Sequence, residues 1–261
     1  MVAVATHKKY LMPKDKMYLP LEVGVSCHGK KTNYAGDDSG DNISKKNEGF
    51  CELTGLYYIW KNIECDYKGL VHYRRYLRGR HAFSRNPEKR LGVVLGRKEA
   101  EAILKKTDVI LPKKRNYFIE NLYDHYAHTM FVRPLEITGE IIAEKYPDYV
   151  NEFELLHKRK TAHMFNMLIM KDDLFDEYCK WLFGVLFELE KRVKKEGLEY
   201  DGFHGRFYGR VSELLLDVYL RTNHIEYVEV PVISIEPVNW IKKGSSFLRA
   251  KFFKKKYKES F

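Results

Sequence analysis

The chain has 261 residues, 44% of them hydrophobic and 14% aromatic, and a formal net charge of +10. That much apolar material can bury a substantial core, which excludes a disordered polypeptide and fits one globular domain with a tail. The four cysteines, Cys27, Cys51, Cys65 and Cys179, show no CxxC spacing, so neither a zinc site nor a disulfide framework is expected. Residues 1–25 lack the charged-then-apolar layout of a secretion signal, and no window approaches the ~18 to 20 apolar residues that cross a bilayer. The expectation is a chain of the reducing cytoplasm, neither secreted nor integral to a membrane.

Residues 2–6 (Val-Ala-Val-Ala-Thr) read as a first strand that delivers His7, Lys8 and Lys9 at its carboxyl end, the edge where open α/β sheets hold ligands. Residues 21–26 read as a second extended piece, followed by a polar loop over 27–42 rich in Gly, Asp, Ser and Asn. A helical period carries Phe50, Leu53, Leu56, Tyr57 and Trp60 through one predicted helix over 44–62. Next comes a short strand, 69–71, running straight into His72-Tyr73-Arg74-Arg75. The basic stretch 78–97 reads as irregular, 98–106 as a short helix, and 108–111 as a strand stopped by Pro112 and Lys113-Lys114-Arg115. Helices are predicted over 116–128, 133–145 and 148–159, with Pro134 and Pro147 at the breaks. Residues 164–170 read as a buried strand, 172–195 as a long amphipathic helix, 206–221 as another, and 225–235 as a closing strand ended by Pro237. Short strands alternating with helices, without an internal repeat, indicate an α/β architecture with a mainly parallel or mixed sheet.

The positive charge is concentrated at the carboxyl end. Residues 240–261 hold Lys242, Lys243, Arg249, Lys251, Lys254, Lys255, Lys256 and Lys258 against the single acid Glu259, interleaved with Trp240, Phe247, Phe252, Phe253, Tyr257 and Phe261. Such a segment can hold its rings at a headgroup boundary while its lysines meet anionic lipid. The expected organisation is therefore a domain over 1–239 and a basic amphipathic, membrane-associating tail over 240–261, with a solubilising tail as the plainer reading. The body carries no nucleic-acid motif, so nucleic acid is not an expected partner.

A strand that opens into His72-Tyr73-Arg74-Arg75 is poorly suited to a core and well suited to gripping an anion. Two guanidinium forks match diphosphate oxygens bidentately, and adjacent arginines at a strand end are costly to leave without anionic partners. If the strand continues, His72 and Arg74 share one face and Tyr73 and Arg75 the other. The loop Gly36-Asp37-Asp38-Ser39-Gly40-Asp41-Asn42 offers carboxylates to a divalent cation or to sugar hydroxyls; the plainer reading is a polar turn ending in a helix cap. His125 and His128, three apart on a predicted helix, suit hydrogen bonds to a substrate or half-buried structural roles better than a metal, since no third ligand accompanies them. His163 precedes an apolar strand interrupted by Asn166, whose amide needs a partner, either a ligand hydroxyl or the backbone. Glu213 lies in the apolar run from Val211 to Leu216, as a general base raised by desolvation or, more commonly, as one half of an ion pair with an arginine.

Several of these stretches together resemble a known family. They are Ala5-Thr6-His7-Lys8, Gly40-Asp41-Asn42-Ile43-Ser44 with Asn47, the run Cys51 to Tyr57 with Trp60-Lys61-Asn62, and Gly69 to Tyr76. Leu111 to Arg115, His125-Tyr126-Ala127-His128, His163 to Met170 and Ser212 to Asp217 extend the match to about residues 2–235. The chain resembles a bacterial family found among capsular and exopolysaccharide biosynthesis proteins, long labelled as a domain of unknown function and treated as glycosyltransferases.

The resemblance implies a single Rossmann-like α/β domain of the A-type glycosyltransferase fold, a mixed sheet flanked by helices. It implies a UDP-sugar donor, with galactosyl or galactofuranosyl transfer among relatives, and a lipid-linked oligosaccharide acceptor at the cytoplasmic face of the plasma membrane. On that reading Thr6, His7, Lys8, Asp41, Asn42, Asn47, His72, Tyr73, Arg74 and Arg75 bind the donor, and His125, His128, His163 and Asn166 meet the acceptor. His72, Asp38 and Glu213 are the catalytic candidates, with Asp38 and Glu213 as bases and with Arg74, Arg75 and Lys8 stabilising the diphosphate leaving group. The Asp-x-Asp pair usual in this fold is not evident at a strand end. Either Asp38 or Asp41 holds Mn2+ or Mg2+, or the cations neutralise the leaving UDP without metal. The competing class is a basic membrane- or nucleic-acid-binding adaptor without catalysis. Phosphoryl or nucleotidyl transfer would use the same cations, but no Walker loop supports it.

Overall fold

The computed structural model describes residues 1–80 and 86–236, so the tail expected over 240–261 lies outside the described residues. The chain packs as two compact units. The first comprises Met1–Lys113, His163–Lys180 and Glu226–Pro237, and the second, among the described residues, Lys114–Ala162 and Trp181–Ile225.

The first unit is built on one nine-stranded mixed sheet. Its strands are β1 (Val2–Thr6), β2 (Tyr18–Glu22), β3 (Ala35–Gly36), β4 (Tyr67–His72), β5 (Arg75–Leu77), β6 (Val109–Pro112), β7 (Leu168–Lys171), β8 (Val228–Val230) and β9 (Val232–Ser234). The order is β8-β6-β7-β4-β1-β2-β3, with β5 joining β4 to β9. Every residue of β1 is buried, as expected of a strand with parallel neighbours on both sides and cover on both faces. The register sets Ala5 beside His72, Thr6 beside Glu22 and Glu22 beside Gly36, so the carboxyl ends of β1, β2, β3 and β4 fall in one row. Within the run from β8 to β3 the exception is β7, antiparallel to both β4 and β6, whose amino end therefore arrives at that same edge.

Two departures from the sequence reading reshape that edge. The strand through residue 69 does not run on: β4 stops at His72, Tyr73 and Arg74 form a tight turn, and Arg75 starts β5 directly opposite His72. The alternating-face arrangement expected for these residues is thus replaced by a hairpin. The segment read as a strand over 164–170 begins as a turn, with Phe165 at φ 79° and Asn166 at φ 51°, and is a strand only from Leu168.

Other differences have local causes. The helix expected over 44–62 is broken at Cys51, whose φ of 50° separates Asn47–Phe50 from α1 (Leu53–Asn62). Of the extended piece expected over 21–26, the strand is Tyr18–Glu22, and Val25–His28 is a helical turn entered through Gly24 at φ 75°. The stretch read as irregular contains a short helix, Pro87–Leu91, capped by the Asn86 side chain, before α2 (Arg97–Leu104). The closing strand is two, because Pro231 has no N–H to offer a ladder and stands between β8 and β9.

The second unit holds α3 (Leu122–Thr129), α4 (Arg133–Lys145), α5 (Val150–Lys158) and α7 (Phe207–Thr222); α6 (Asp172–Lys195) contributes from Trp181 onward. A two-stranded antiparallel ribbon pairs Arg115–Asn116 with Thr161–Ala162, occupying the start of what was read as a helix over 116–128. The helix begins instead at Asn121, whose side-chain oxygen accepts from the Asp124 N–H at 2.7 Å. Tyr149 stacks on Trp181 with ring centroids 4.7 Å apart, and Arg133 ties α4 to Glu196.

Candidate functional site at the carboxyl edge of the sheet

The residues that leave β1 and β4 meet in the first unit. Tyr73 donates its backbone N–H to Ala5 O at 3.1 Å, which holds the hairpin turn against the end of β1. The His7 and Tyr10 rings pack edge-on against Tyr73, at 5.3 and 5.0 Å. Cations sit on this aromatic wall: Lys8 Nζ lies 5.7 Å from both tyrosine rings, and the Arg74 guanidinium 5.2 Å from Tyr73. Arg74 is half-exposed and 3.4 Å from Glu236, which also accepts from Tyr10 OH at 2.5 Å. Burial, followed by the charges of Lys8, Arg74, His28 and Lys31, holds the His7 pKa below its usual range. Lys8 and Arg74 on this wall are the groups suited to an anion.

The turn before β7 completes this edge. His72 Nε2 lies 2.5 Å from Phe165 O, and the Arg75 guanidinium stacks 4.7 Å from the Phe165 ring. The buried Asn166 donates its amide to Glu52 Oε1 at 2.7 Å, at the start of α1. The fully buried His163 bonds Glu229 at 2.9 Å and packs edge-on to Tyr227. Two successive non-glycine residues in the left-handed region are rare, and such strain gathers where a surrounding site over-determines it. Sequence reasoning singled out Asn166 but missed Phe165, Glu52, Glu229, Glu236 and Tyr10. The acid partners lie more than 60 residues away in sequence from Tyr10, His163 and Asn166, and no local pattern marks them.

The acidic loop is held from beneath by the fully buried Asp37, which accepts from Gly24 N (2.8 Å), Val25 N (3.2 Å), Ser44 Oγ (2.5 Å) and Thr54 Oγ1 (2.6 Å). Asn47 donates to Cys51 O and Thr54 Oγ1, Asn42 accepts from Ser44 N, and Asp41 accepts from Tyr57 OH at 3.1 Å. These three residues thus brace the loop. Asp38, by contrast, is exposed just beyond β3 and makes no hydrogen bond or ion pair among the described residues. Glu22 is buried, yet hydrogen bonds from Thr32 and from the Lys31 and Thr32 N–H groups outweigh that burial and keep its pKa below the usual carboxylate range. Among the described residues no cluster of three or more His, Cys, Asp or Glu side chains is arranged to hold a metal.

Within the second unit, His125 and His128 both turn Nδ1 toward the buried Glu120, at 3.3 and 3.1 Å. Burial pushes the His125 pKa down to about 4, with Arg115 and Arg210 adding to the shift and Glu120 opposing it. Glu213 lies 3.2 Å from Arg210, the ion-paired alternative that the sequence left open.

Cations and aromatic rings at the carboxyl edge of a mixed α/β sheet, with an antiparallel strand set among parallel ones and helices flanking it, define an A-type glycosyltransferase-like fold. The chain belongs to the family described as a domain of unknown function (DUF4422), which it matches over residues 1–224. It is similar to a solved structure described as the apo form of the bifunctional glycosyltransferase WbbM, with 27% identity and a TM-score of 0.80 over 90% of this chain. That alignment spans 45% of the WbbM chain. No curated protein matches the chain.

Proposed function

We propose that the protein is a glycosyltransferase that moves a sugar, galactose or galactofuranose, from a UDP-sugar to a lipid-linked oligosaccharide in capsular or exopolysaccharide synthesis. The observation that carries this is the convergence of Lys8, Arg74 and the Tyr10–Tyr73 wall at the ends of β1 and β4. An aromatic wall of edge-packed tyrosines suits a pyrimidine face, and guanidinium and ammonium groups suit the diphosphate beside it. The likeness to WbbM supports the same reading.

In this mechanism the acceptor hydroxyl displaces UDP at the anomeric carbon. Arg74, Arg75 and Lys8 stabilise the charge that develops on the leaving diphosphate. Glu236 holds Arg74 until the anion replaces it. Of the two candidate bases Asp38 is preferred, because it is exposed whereas Glu213 is already paired with Arg210. With Asp38 as the base, a divalent cation, Mn2+ or Mg2+, would take Asp41 as its protein ligand and help neutralise the diphosphate. His72 orients the Phe165 turn, and the basic tail over 240–261 draws the enzyme to the inner face of the plasma membrane, where such acceptors lie.

Calorimetric titration with UDP, GDP, UMP and UDP-galactose, with and without Mn2+, tests the reading on wild type and Arg74→Ala. Saturable UDP binding that weakens at least tenfold in the variant is expected, from loss of one charge-assisted contact. An absence of nucleotide binding by the wild type refutes it.

A further inference from the structure

At the tip that joins the ribbon to α3, the ordinary partition of side chains is inverted. Tyr117 and Glu120 are buried, whereas Phe118 is 74% and Ile119 54% exposed. Water favours the opposite arrangement, with the carboxylate outside and the apolar pair inside. Packing enforces the inversion: His125 and His128 hold the Glu120 carboxylate inward, and the Tyr117 ring lies 4.0 Å from that of His125. The backbone follows. Phe118 sits at φ 53°, a region bulky residues avoid, with its N–H bound to Asn116 Oδ1 at 2.7 Å. Ile119 N–H bonds Tyr117 O at 2.6 Å, closing the turn beneath the two side chains.

The surroundings of the tip are cationic. Tyr117 N–H bonds Lys160 O, and Leu122 N–H bonds Arg159 O, so the segment 158–160 runs alongside the turn. Residues 114–124 and 158–160 together contain five cations and two acids. Glu120 is buried, and Asp124 is engaged by Asn121. Lys158 and Lys160 are exposed.

From this we infer that Phe118 and Ile119 form a membrane-inserting tip that enters an anionic lipid surface, with Lys158, Lys160 and Arg115 meeting the headgroups. Two protruding apolar side chains within a cationic rim match the depth and charge of a bilayer interface. They are too small an area for a stable protein interface, which needs about 1,000 Å². The inference stands on the second unit alone and does not depend on the transferase reading.

Vesicle sedimentation of the full chain provides the test, with phosphatidylglycerol/phosphatidylcholine vesicles compared with phosphatidylcholine alone and no nucleotide present. Every variant retains residues 240–261, so their contribution is common to all. Phe118→Ser/Ile119→Ser should lower the partition coefficient about tenfold or more at an unchanged melting temperature. Phe118→Leu/Ile119→Leu should retain binding, and Lys158→Glu/Lys160→Glu should lose it on the anionic vesicles. Wild-type binding by the serine variant overturns the inference. So does a serine variant whose only change is loss of a dimer in light scattering, which would make the tip a contact between copies.

Discussion

Replacing Asp37 with alanine tests whether the acidic loop is held by one buried carboxylate. The side chain accepts two backbone N–H groups and two hydroxyls and is fully buried. The Gly24 and Val25 N–H groups are fixed by the chain and would be left without an acceptor, at ~1–3 kcal/mol each. The hydroxyls lose less, since Thr54 already bonds Cys51 O at 3.1 Å and can keep that contact. The sum for Asp37→Ala is about 4 kcal/mol. Asp37→Asn keeps the volume but only one acceptor oxygen, so it should cost about 2 kcal/mol by the same reckoning. The neighbouring Asp38→Ala removes an exposed carboxylate without partners and should stay within about 0.5 kcal/mol of wild type. Urea unfolding followed by circular dichroism reads all three. With a slope of about 2–3 kcal/mol/M, the alanine variant should move the first midpoint by more than 1 M. A shift under 0.3 M for Asp37→Ala, or equal shifts for the two aspartates, would refute the assignment of Asp37 as the loop's anchor.

Two further outcomes concern other parts of the molecule. A Cβ at Gly69 would lie 2.7 Å from Leu168 O and 2.9 Å from Ile169 Cγ1, and backbone inside a sheet cannot move aside cheaply. Gly69→Ala should therefore lower stability by about 2–3 kcal/mol in the same urea assay, and a neutral result would contradict the close approach of β4 and β7. The His125 pKa of about 4 lies below its ordinary value of 6.5, so between those values the unfolded chain binds the proton and the folded one does not. Stability attributable to His125 is thus complete above pH 6.5 and is lost as pH falls toward 4. Its imidazole resonance should titrate near pH 4, and a midpoint near 6.5 would show that the ring is not buried against Tyr117.

The longest elements were legible because their cues are local. The helix expected over 133–145 is α4, and that over 172–195 is α6, residue for residue. Pro134 at the first turn of α4 and an unbroken 3.6-residue period in both fix type and extent. The edge of the sheet was only partly legible. His72 to Arg75 attract attention as polar residues after an apolar strand, but the hairpin turn at Tyr73–Arg74 depends on β5 finding β9, about 155 residues further along. Phe165 and Asn166 carry no glycine to advertise a left-handed backbone, so an apolar run was read as strand.

Composition, periodicity and proline placement by themselves determined an α/β chain with a short buried first strand, long amphipathic helices and chemistry-bearing residues at strand ends. Those properties follow from stereochemistry and burial within a few residues of each position. Only the tertiary structure decided which polar groups are spent on the fold and which face outward. Asp37 is consumed by four donors while Asp38 is free, and Glu120 is drawn inside while Phe118 and Ile119 are turned out. Neighbours in sequence part company in this way because a hydrogen-bond partner or a packing ring arrives from a distant segment, and a buried charge stays only where such a partner meets it.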